Sequence, residues 1–178
     1  MRRVGILTAY VLTLVLPACE EEAICTRDLV ARTGAGFYVR DAEEERDTVL
    51  QKLSFYALER PDSLLYNAAS RGNIKFPLPG EPGAFTAFFL GTGKGSDTIR
   101  VFHRSHLVLV SWSCGYAAVH ELERLEYGHR IIDTIVIDDP FVDLTEDENL
   151  KIYVWPAIAD TAVSDTAAAG RTMAGSAL

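Results

Sequence analysis

The feature that most constrains the fold of this chain is a repeated alternation of short apolar segments with turn residues. Nine segments between residues 36 and 155 are rich in β-branched and aromatic residues, and Gly, Pro, Asp or Asn separates them. They are residues 36–40, 49–58, 63–67, 73–78, 84–91, 97–103, 107–116, 130–138 and 150–155. Connections this short suit antiparallel strands. We therefore predict an all-β protein: one antiparallel β-sandwich (Ig-like or transthyretin-like) of about 7–9 strands, over residues 25–157.

Residues 117–127 are the one stretch that also fits a helix. Val119, Leu122 and Leu125 recur every three residues with charged residues between them. The stretch nevertheless follows an apolar segment without a capping residue or a turn. The pattern favours a strand that continues past Cys114, and the helix stays open as the alternative.

The N-terminus has the pattern of a secretory signal peptide over residues 1–18. Arg2 and Arg3 precede an apolar run at residues 4–16, which is too short for a transmembrane helix of roughly 20 residues. Leu16-Pro17-Ala18-Cys19 resembles a bacterial lipobox, in which the cysteine is acylated and becomes the new N-terminus. We expect lipidation of Cys19, a membrane attachment through that lipid, and an outer-membrane lipoprotein of the cell envelope. Plain secretion is the alternative.

An acidic segment follows the predicted lipidation site. Residues 19–24 contain three consecutive glutamates and predict a solvated tether; the same glutamates resemble the surface-export signals of Bacteroidota lipoproteins. Loss of residues 1–18 removes two of the 17 basic residues and none of the 25 acidic ones, which leaves a formal charge of −10. We therefore expect no nucleic-acid partner and no attraction to anionic lipid.

The C-terminal residues 158–178 predict a disordered tail, because they are rich in Ala, Thr, Ser and Gly. A triplet of Asp, Ser or Thr, and a small aliphatic residue begins at positions 47, 62, 97, 133, 160 and 165. Turn and strand preferences explain the first four. The triplet resembles the O-glycosylation sequence of extracytoplasmic Bacteroidota proteins, which predicts glycans on Thr161 and Thr166 first, then on Thr48 and Ser63.

The cysteines and the alternation of residues 108–114 predict a piece of the core. Val108, Val110, Trp112 and Cys114 share one face of a strand, as in the middle of a sandwich. Cys25 is the other cysteine that remains once Cys19 carries lipid. In an oxidising compartment we expect a Cys25–Cys114 disulfide, with two reduced cysteines or a frayed Cys25 as the alternatives.

The order of several segments resembles a family of small Bacteroidota lipoproteins that is known only as a domain of unknown function. The matching pieces are residues 19–25, 64–80 and 97–116, which end in Cys-Gly-Tyr, and the closing strands at 131–138 and 150–154. The resemblance implies an all-β, lipid-anchored domain in the cell envelope. It implies no catalytic residues.

Histidine, serine and carboxylate side chains do not form a recognisable catalytic or metal-binding pattern. We expect His103 and His106 to flank a hairpin turn as surface residues, and no metal site. Ser111 and Ser113 lack the Gly-x-Ser-x-Gly pattern of a nucleophile elbow. Residues 91–95 (GTGKG) predict a hairpin loop rather than a phosphate loop. The carboxylates of residues 43–46 and 145–148 predict solvated loops, although carboxylates can serve as acid and base.

Aromatic residues raise the question of a sugar-binding platform. Most lie among apolar neighbours, which favours the core: Phe85, Phe88, Phe89, Tyr116, Tyr127, Tyr153 and Trp155. Tyr153 and Trp155 are the pair that we expect to be exposed if any pair binds a ligand.

These observations favour a lipid-anchored envelope protein that is not an enzyme, has no cofactor, and serves as a binding or structural accessory module. Its partner would be an envelope protein or a glycan, on the periplasmic or the surface side of the membrane. The alternative is a small envelope hydrolase or carbohydrate-binding module that uses loop carboxylates, histidines or exposed aromatics.

Overall fold

The computed structural model describes residues 25–26, 28–41, 44–80 and 85–159. The predicted signal peptide, Cys19, the acidic tether, Thr161 and Thr166 lie outside these residues. The described chain contains eleven strands: β1 Arg32–Asp41, β2 Glu44–Asp47, β3 Leu50–Ala57, β4 Leu64–Arg71, β5 Asn73–Pro77, β6 Thr86–Thr92, β7 Gly95–Ser111, β8 Gly115–Tyr127, β9 Ile132–Ile137, β10 Phe141–Val142 and β11 Glu148–Val154. Within the same residues, no helix has the length and apolarity to cross a membrane.

The all-β prediction is confirmed, and the strands form two sheets. One sheet has the order β2-β1-β11-β9, with β5 also paired to β1, and the other has the order β10-β8-β7-β6-β3-β4. The predicted 7–9 strands become eleven because β2 and β10 are short edge pieces. The arrangement is not purely antiparallel as predicted, since β1 and β11 pair in parallel over Gly34–Tyr38.

The hydrophobic core lies between the two sheets and is richest in phenylalanine. Phe76 of the first sheet packs on Phe55 and Phe88 of the second, with ring centroids 5.2 and 4.7 Å apart. Each of these rings is at most 1% exposed. Burying an aromatic side chain of this size contributes about 1.5–3 kcal/mol, so this cluster is a principal contact between the sheets.

Residues 117–127 are a strand, and the helix alternative is wrong. Val101 pairs with Leu125 and His103 with Leu122, so β8 carries one residue more than β7 between these pairs. This bulge turns Leu122 and Leu125 toward the same face although they are three positions apart. A period of three in the sequence therefore arises from a strand with a bulge.

One end of the β7–β8 hairpin is closed by a buried carboxylate. The Asp97 side chain is 8% exposed and accepts hydrogen bonds from the backbone N–H groups of Arg130 (3.0 Å), Ile131 (2.7 Å) and Ile132 (3.0 Å). These bonds attach the segment before β9 to the start of β7. Hydrogen bonds to a charged acceptor are stronger than neutral ones, so this end is firmly held.

The described chain leaves the sandwich at that same end. Trp155 N–H donates to the carbonyl of Ile131, next to Asp97, and a turn follows. Ile158 and Ala159 pack against the core. The described residues therefore continue to pack on the core two positions past the predicted boundary at residue 157, because an apolar turn covers the end of the core.

Candidate functional site

The opposite end of the β7–β8 hairpin carries the most exposed apolar side chains of the described residues. We call residues 107–118 the apolar tip. Trp112 is 94% exposed, Leu107 73% and Tyr116 65%, and Val108 and Leu109 are also exposed. Contiguous apolar surface of this kind marks interaction sites in soluble domains.

The apolar tip is also free of charge. Residues 107–119 contain no Asp, Glu, Lys or Arg, although 24% of the whole chain is charged. His106 and His120 bound the stretch on the two strands. A run of thirteen uncharged residues is typical of a surface that is removed from water in the working protein.

Both faces of the apolar tip are apolar. Leu107 pairs with Ala118 and Leu109 with Tyr116, so these four side chains lie on one face. Val108 pairs with Ala117 on the other face. The first face continues the core-facing side of the sheet. Along β7, His103 and Ser105 precede Leu107 at alternate positions and point toward the core, as do their partners on β8, Leu122 and His120.

The turn at the end of the tip satisfies its own polar groups. The Ser111 hydroxyl accepts the Cys114 N–H at 3.0 Å and lies 3.1 Å from the Ser113 hydroxyl. Gly115 has a φ of 76°, a left-handed conformation that glycine adopts without strain. The turn is therefore locally defined even though Trp112 beside it has open surroundings.

A disulfide joins the tip to the start of the described chain. Cys25 and Cys114 are bonded, with their Cα atoms 4.9 Å apart and 89 positions between them in the sequence. Val30 also forms a parallel bridge with Ala118. This is the cysteine pair that the sequence analysis expected, and the N-terminal segment runs along the hairpin as a result.

The predicted position of this stretch in the core is wrong. Trp112 is almost fully exposed, Val108 is exposed, and Val110 and Cys114 are half-buried. The alternation of apolar residues continues along β7 beyond the layer that the opposing sheet covers. The pattern of period two therefore identified a strand correctly only as far as Ser111. The predicted continuation of that strand past Cys114 is wrong, because residues 112–114 form the turn between β7 and β8.

Two histidines are buried at the base of the tip. His103 is 7% exposed and His120 3%, and their rings are 5.3 Å apart. The predicted turn between His103 and His106 is wrong, because β7 continues through residues 103–106, and so is the predicted exposure of His103; His106 is exposed as predicted. Sequence reasoning missed this pair because a bulge in β8 brings the two rings together.

The histidine pair holds the segment that follows β5. The carbonyl of Pro79 accepts a hydrogen bond from the Ser105 hydroxyl at 3.2 Å and lies 3.3 Å from His103 Nε2. Ser105 Oγ is 2.9 Å from His120 Nδ1. Burial, and then the nearby His103, lower the pKa of His120 to about 4. His120 is therefore neutral at physiological pH.

The Ser105–His120 contact has the spacing of a nucleophile and its general base. His120 is 3% exposed, Ser105 is half-buried, and the Ser105 hydroxyl already donates to the Pro79 carbonyl. Among the residues that the structure describes, no three His, Cys, Asp or Glu side chains could share a metal ion. The contact therefore fits a structural polar network.

The aromatic pair that was expected to be exposed is not a platform. Tyr153 is 4% exposed because the Arg40 guanidinium lies 4.3 Å from its ring centroid and its hydroxyl donates to Glu45 at 2.6 Å. Trp155 is partly exposed, and its Nε1–H donates to the His129 carbonyl at 3.2 Å. Of the seven aromatics assigned mainly to the core, three are exposed: Phe85, Tyr116 and Trp155.

A groove of about 600 Å³ lies beside β1, where β2 and β5 leave a gap along its edge. Gly36, Tyr38 and Asn73 contribute to its lining. The Tyr38 hydroxyl donates to Glu148 at 2.8 Å, and burial and this bond raise the pKa of Tyr38. Asp41, Arg46, Asp47 and Glu148 also line the groove, so its charged groups are mainly carboxylates.

The predicted glycosylation positions differ in exposure. Ser63 is exposed in the turn before β4. Thr48 is 8% exposed and lines the groove, so a glycan on it does not fit the folded domain. The expectation for Thr48 is corrected on this ground.

The fold and the site together define a class: a small all-β domain of two sheets with an exposed apolar hairpin held by a disulfide. Within that class, the chain belongs to the Family of unknown function (DUF6452), whose family model matches residues 52–154. The match runs from β3 to the end of β11, so it includes the apolar tip and Cys114 but not Cys25. No curated protein and no solved structure matches the chain.

Proposed function

We propose that this protein is a lipid-anchored component of a bacterial cell envelope, whose sandwich domain binds or supports another envelope component without catalysis. The observation that carries the proposal is the Cys25–Cys114 disulfide six residues after Cys19. Disulfides persist in oxidising compartments, and the leader at residues 1–18 is the signal that sends a chain there.

The carboxylates support a domain without catalysis. Glu146 pairs with Lys75 at 2.7 Å and with Arg32 at 3.0 Å, and these partners lower its pKa. A general acid needs a carboxyl pKa that is raised toward the working pH. Ion pairs of this kind stabilise the surface and keep the carboxylate charged.

The tail is proposed to carry glycans on Thr161 and Thr166, with Ser63 as the next position. The support is the recurrence of the Asp-Ser/Thr triplet in a segment that is rich in small residues. If the intact mass of the native protein equals that of the polypeptide plus its lipid alone, this part of the proposal is contradicted.

The anchor is tested by expressing the full chain in a bacterium that processes lipoproteins and measuring the intact mass of the purified product. We expect the mass of residues 19–178 plus acyl groups, and recovery in the membrane fraction. Cys19→Ala should remove the acyl mass and release the protein from membranes. A product of unmodified mass, or membrane recovery that Cys19→Ala leaves unchanged, would refute the anchor.

A second candidate is hydrolysis by Ser105, which the 2.9 Å contact with His120 favours. A fluorophosphonate probe reports an activated serine directly. Labelling that Ser105→Ala abolishes would establish this activity. We expect no labelling of either form, because His120 is buried and the Ser105 hydroxyl donates to the Pro79 carbonyl.

A further inference from the structure

We infer that the apolar tip lies in the interfacial layer of the lipid bilayer that holds the protein's own anchor. The inference rests on the proposed anchor at Cys19. It assigns the exposed apolar surface to a lipid partner and gives the domain a fixed orientation, with the β7–β8 turn toward the membrane.

The covalent structure brings the tip to the anchor. Cys25 is six positions after Cys19, so their Cα atoms are at most about 22 Å apart. The disulfide then places the Cα of Cys114 within 4.9 Å of that of Cys25. Trp112 is two residues before Cys114 in the sequence. A lipid on Cys19 therefore keeps the tip within reach of the bilayer surface at all times.

The side chains of the tip match a bilayer interface. Tryptophan is enriched at that depth, because its ring is apolar and its N–H is polar. Trp112 stands at the end of the hairpin, with Leu107, Leu109 and Tyr116 on one face and Val108 on the other. A protein partner usually covers one face of a hairpin, whereas immersion in lipid covers the end and both faces.

The backbone of the hairpin limits how deep the tip can go. β6 pairs with β7 only as far as Val101, so the edge of β7 beyond it has no partner strand among the described residues. Unpaired backbone groups are costly in hydrocarbon but not in the hydrated interface. We therefore place the tip roughly 5–10 Å into the boundary between headgroups and acyl chains, the depth of interfacial segments.

Charged side chains mark the boundary on the water side. Arg104 on β7 pairs with Glu123 on β8 at 2.5 Å. Arg104 is seven residues before Ser111, which is about 23 Å along a strand. The uncharged part of the hairpin is therefore longer than the depth of insertion, so no charged side chain of β7 or β8 has to enter the bilayer. Asp28, in the segment beside the tip, is paired with Arg32 at 2.7 Å.

The chain provides a matched pair of reporters, because it contains two tryptophans. Trp112 is at the tip. Trp155 is near the other end of β7, because its backbone N–H donates to the Ile131 carbonyl and the Ile131 side chain lies beside Gly95. The 17 residues of β7 separate the two ends by about 50 Å. Trp155→Phe leaves Trp112 as the reporter, and Trp112→Phe leaves Trp155.

The test reconstitutes each purified lipidated variant in phosphatidylcholine vesicles with and without bromine on the acyl chains. Brominated chains quench tryptophan at short range. For the Trp155→Phe protein we expect at least about twofold quenching and a blue-shifted emission, as for an aromatic side chain at interfacial depth. For the Trp112→Phe protein we expect the same emission in both kinds of vesicle.

Two further substitutions in the Trp155→Phe background separate insertion from simple proximity. Leu107→Glu places a charge at the tip at an exposed position and should abolish the quenching of Trp112. Leu64→Glu places the same charge on an exposed leucine of β4 and should leave the quenching unchanged. Both sites face solvent, so neither change should prevent folding.

Three results would overturn the inference. Absence of quenching of Trp112 shows that the tip stays in water. Equal quenching of Trp112 and Trp155 shows that the domain has no fixed orientation. If brominated lipid does not quench Trp112 but Trp112 in native membranes is protected from quenching by iodide, a protein covers the tip.

The failure of the anchor is distinguishable from the failure of the tip. The intact mass of the same sample reports the lipid on Cys19. If that lipid is absent, the Cys19 thiol of the purified chain is coupled to a maleimide lipid, and the quenching measurement is repeated. Quenching of Trp112 alone would then support the tip, and its absence would refute it.

Discussion

The two ends of the β7–β8 hairpin are built from the same strands and have opposite properties. At the Gly95 end, the Asp97 carboxylate accepts three backbone hydrogen bonds and the chain closes over the core. At the Ser111 end, apolar side chains face open surroundings around an exposed Trp112. One end therefore holds the fold together, and the other is free to interact with a partner.

The difference shows where substitutions can alter function without altering the fold. Buried polar groups with several partners lose a large free energy when one partner is removed. Exposed apolar groups lose little. We therefore expect stability and attachment to respond to separate sets of residues, and the following predictions test that separation from the largest effect to the smallest.

Asp97→Ala should have the largest effect on stability. It leaves three backbone donors, those of Arg130, Ile131 and Ile132, without their acceptor, at roughly 1–3 kcal/mol each. We expect the free energy of unfolding in urea to fall by roughly 5 kcal/mol. Asp97→Asn, which keeps one oxygen acceptor, should lose about half as much. The control is Asp62→Ala, which removes an exposed carboxylate in a turn. An equal loss of stability in that variant would show that the buried bonds of Asp97 are not the cause.

Replacing both Cys25 and Cys114 by serine should lower the free energy of unfolding by about 4 kcal/mol, because the crosslink spans 89 positions of the unfolded chain. Chemical denaturation of the non-reduced protein measures this loss. Ser113→Ala, beside Cys114, serves as the control. An unchanged denaturation midpoint in the double variant would show that the tip end adds nothing to the stability of the fold.

The buried His120 should make stability depend on pH at the base of the tip. Its pKa is about 4 in the fold and about 6.5 for a histidine in the unfolded chain, so the unfolded chain binds more protons between these pH values. The stabilisation that neutral His120 provides is complete above pH 6.5. The free energy of unfolding falls as the pH drops from 6.5 toward 4, by about 3 kcal/mol in total.

His120→Gln isolates this contribution from that of the carboxylates. Stability of the variant should change less between pH 6.5 and 5 than that of the natural protein, measured by thermal unfolding across that range. His106→Gln, an exposed neighbour on β7, should keep the natural slope. If stability depended on pH in the same way in the natural protein and both variants, His120 would be excluded as the cause of the pH dependence.

Trp112→Ser should have the smallest effect on stability, within about 0.5 kcal/mol, because the side chain is 94% exposed. Thermal unfolding of the variant measures this directly. The same substitution should weaken the contact of the tip with vesicles, which protease protection of the hairpin can follow. A large loss of stability would mean that the tip packs on the folded domain.

The sequence predicts the strands well because turn residues and β-branched residues act locally. The hairpin at residues 91–95 and the strand through 117–127 follow from such signals. The bulge that aligns Leu122 with Leu125 depends on pairing with β7, and no local pattern identifies it. The parallel pairing of β1 with β11 likewise joins residues more than a hundred positions apart.

Burial is the property that the sequence predicts least well. Trp112 and Tyr153 both follow apolar alternation, but one is almost fully exposed and the other is covered by Arg40. An alternating pattern shows that a strand has an apolar face and does not show how far the opposing layer extends. The His103–His120 pair was missed because it depends on the bulge in β8, and its burial depends on a third segment that contains Pro79.

The parallel pairing of β1 with β11 has a consequence for biogenesis. The first strand of the domain completes its sheet only with the last, so Arg32–Asp41 must wait until residues 148–154 have been synthesised. Contacts this distant in sequence slow folding and prolong the exposure of unpaired strands. A chain of this topology therefore gains little from folding in stages during synthesis.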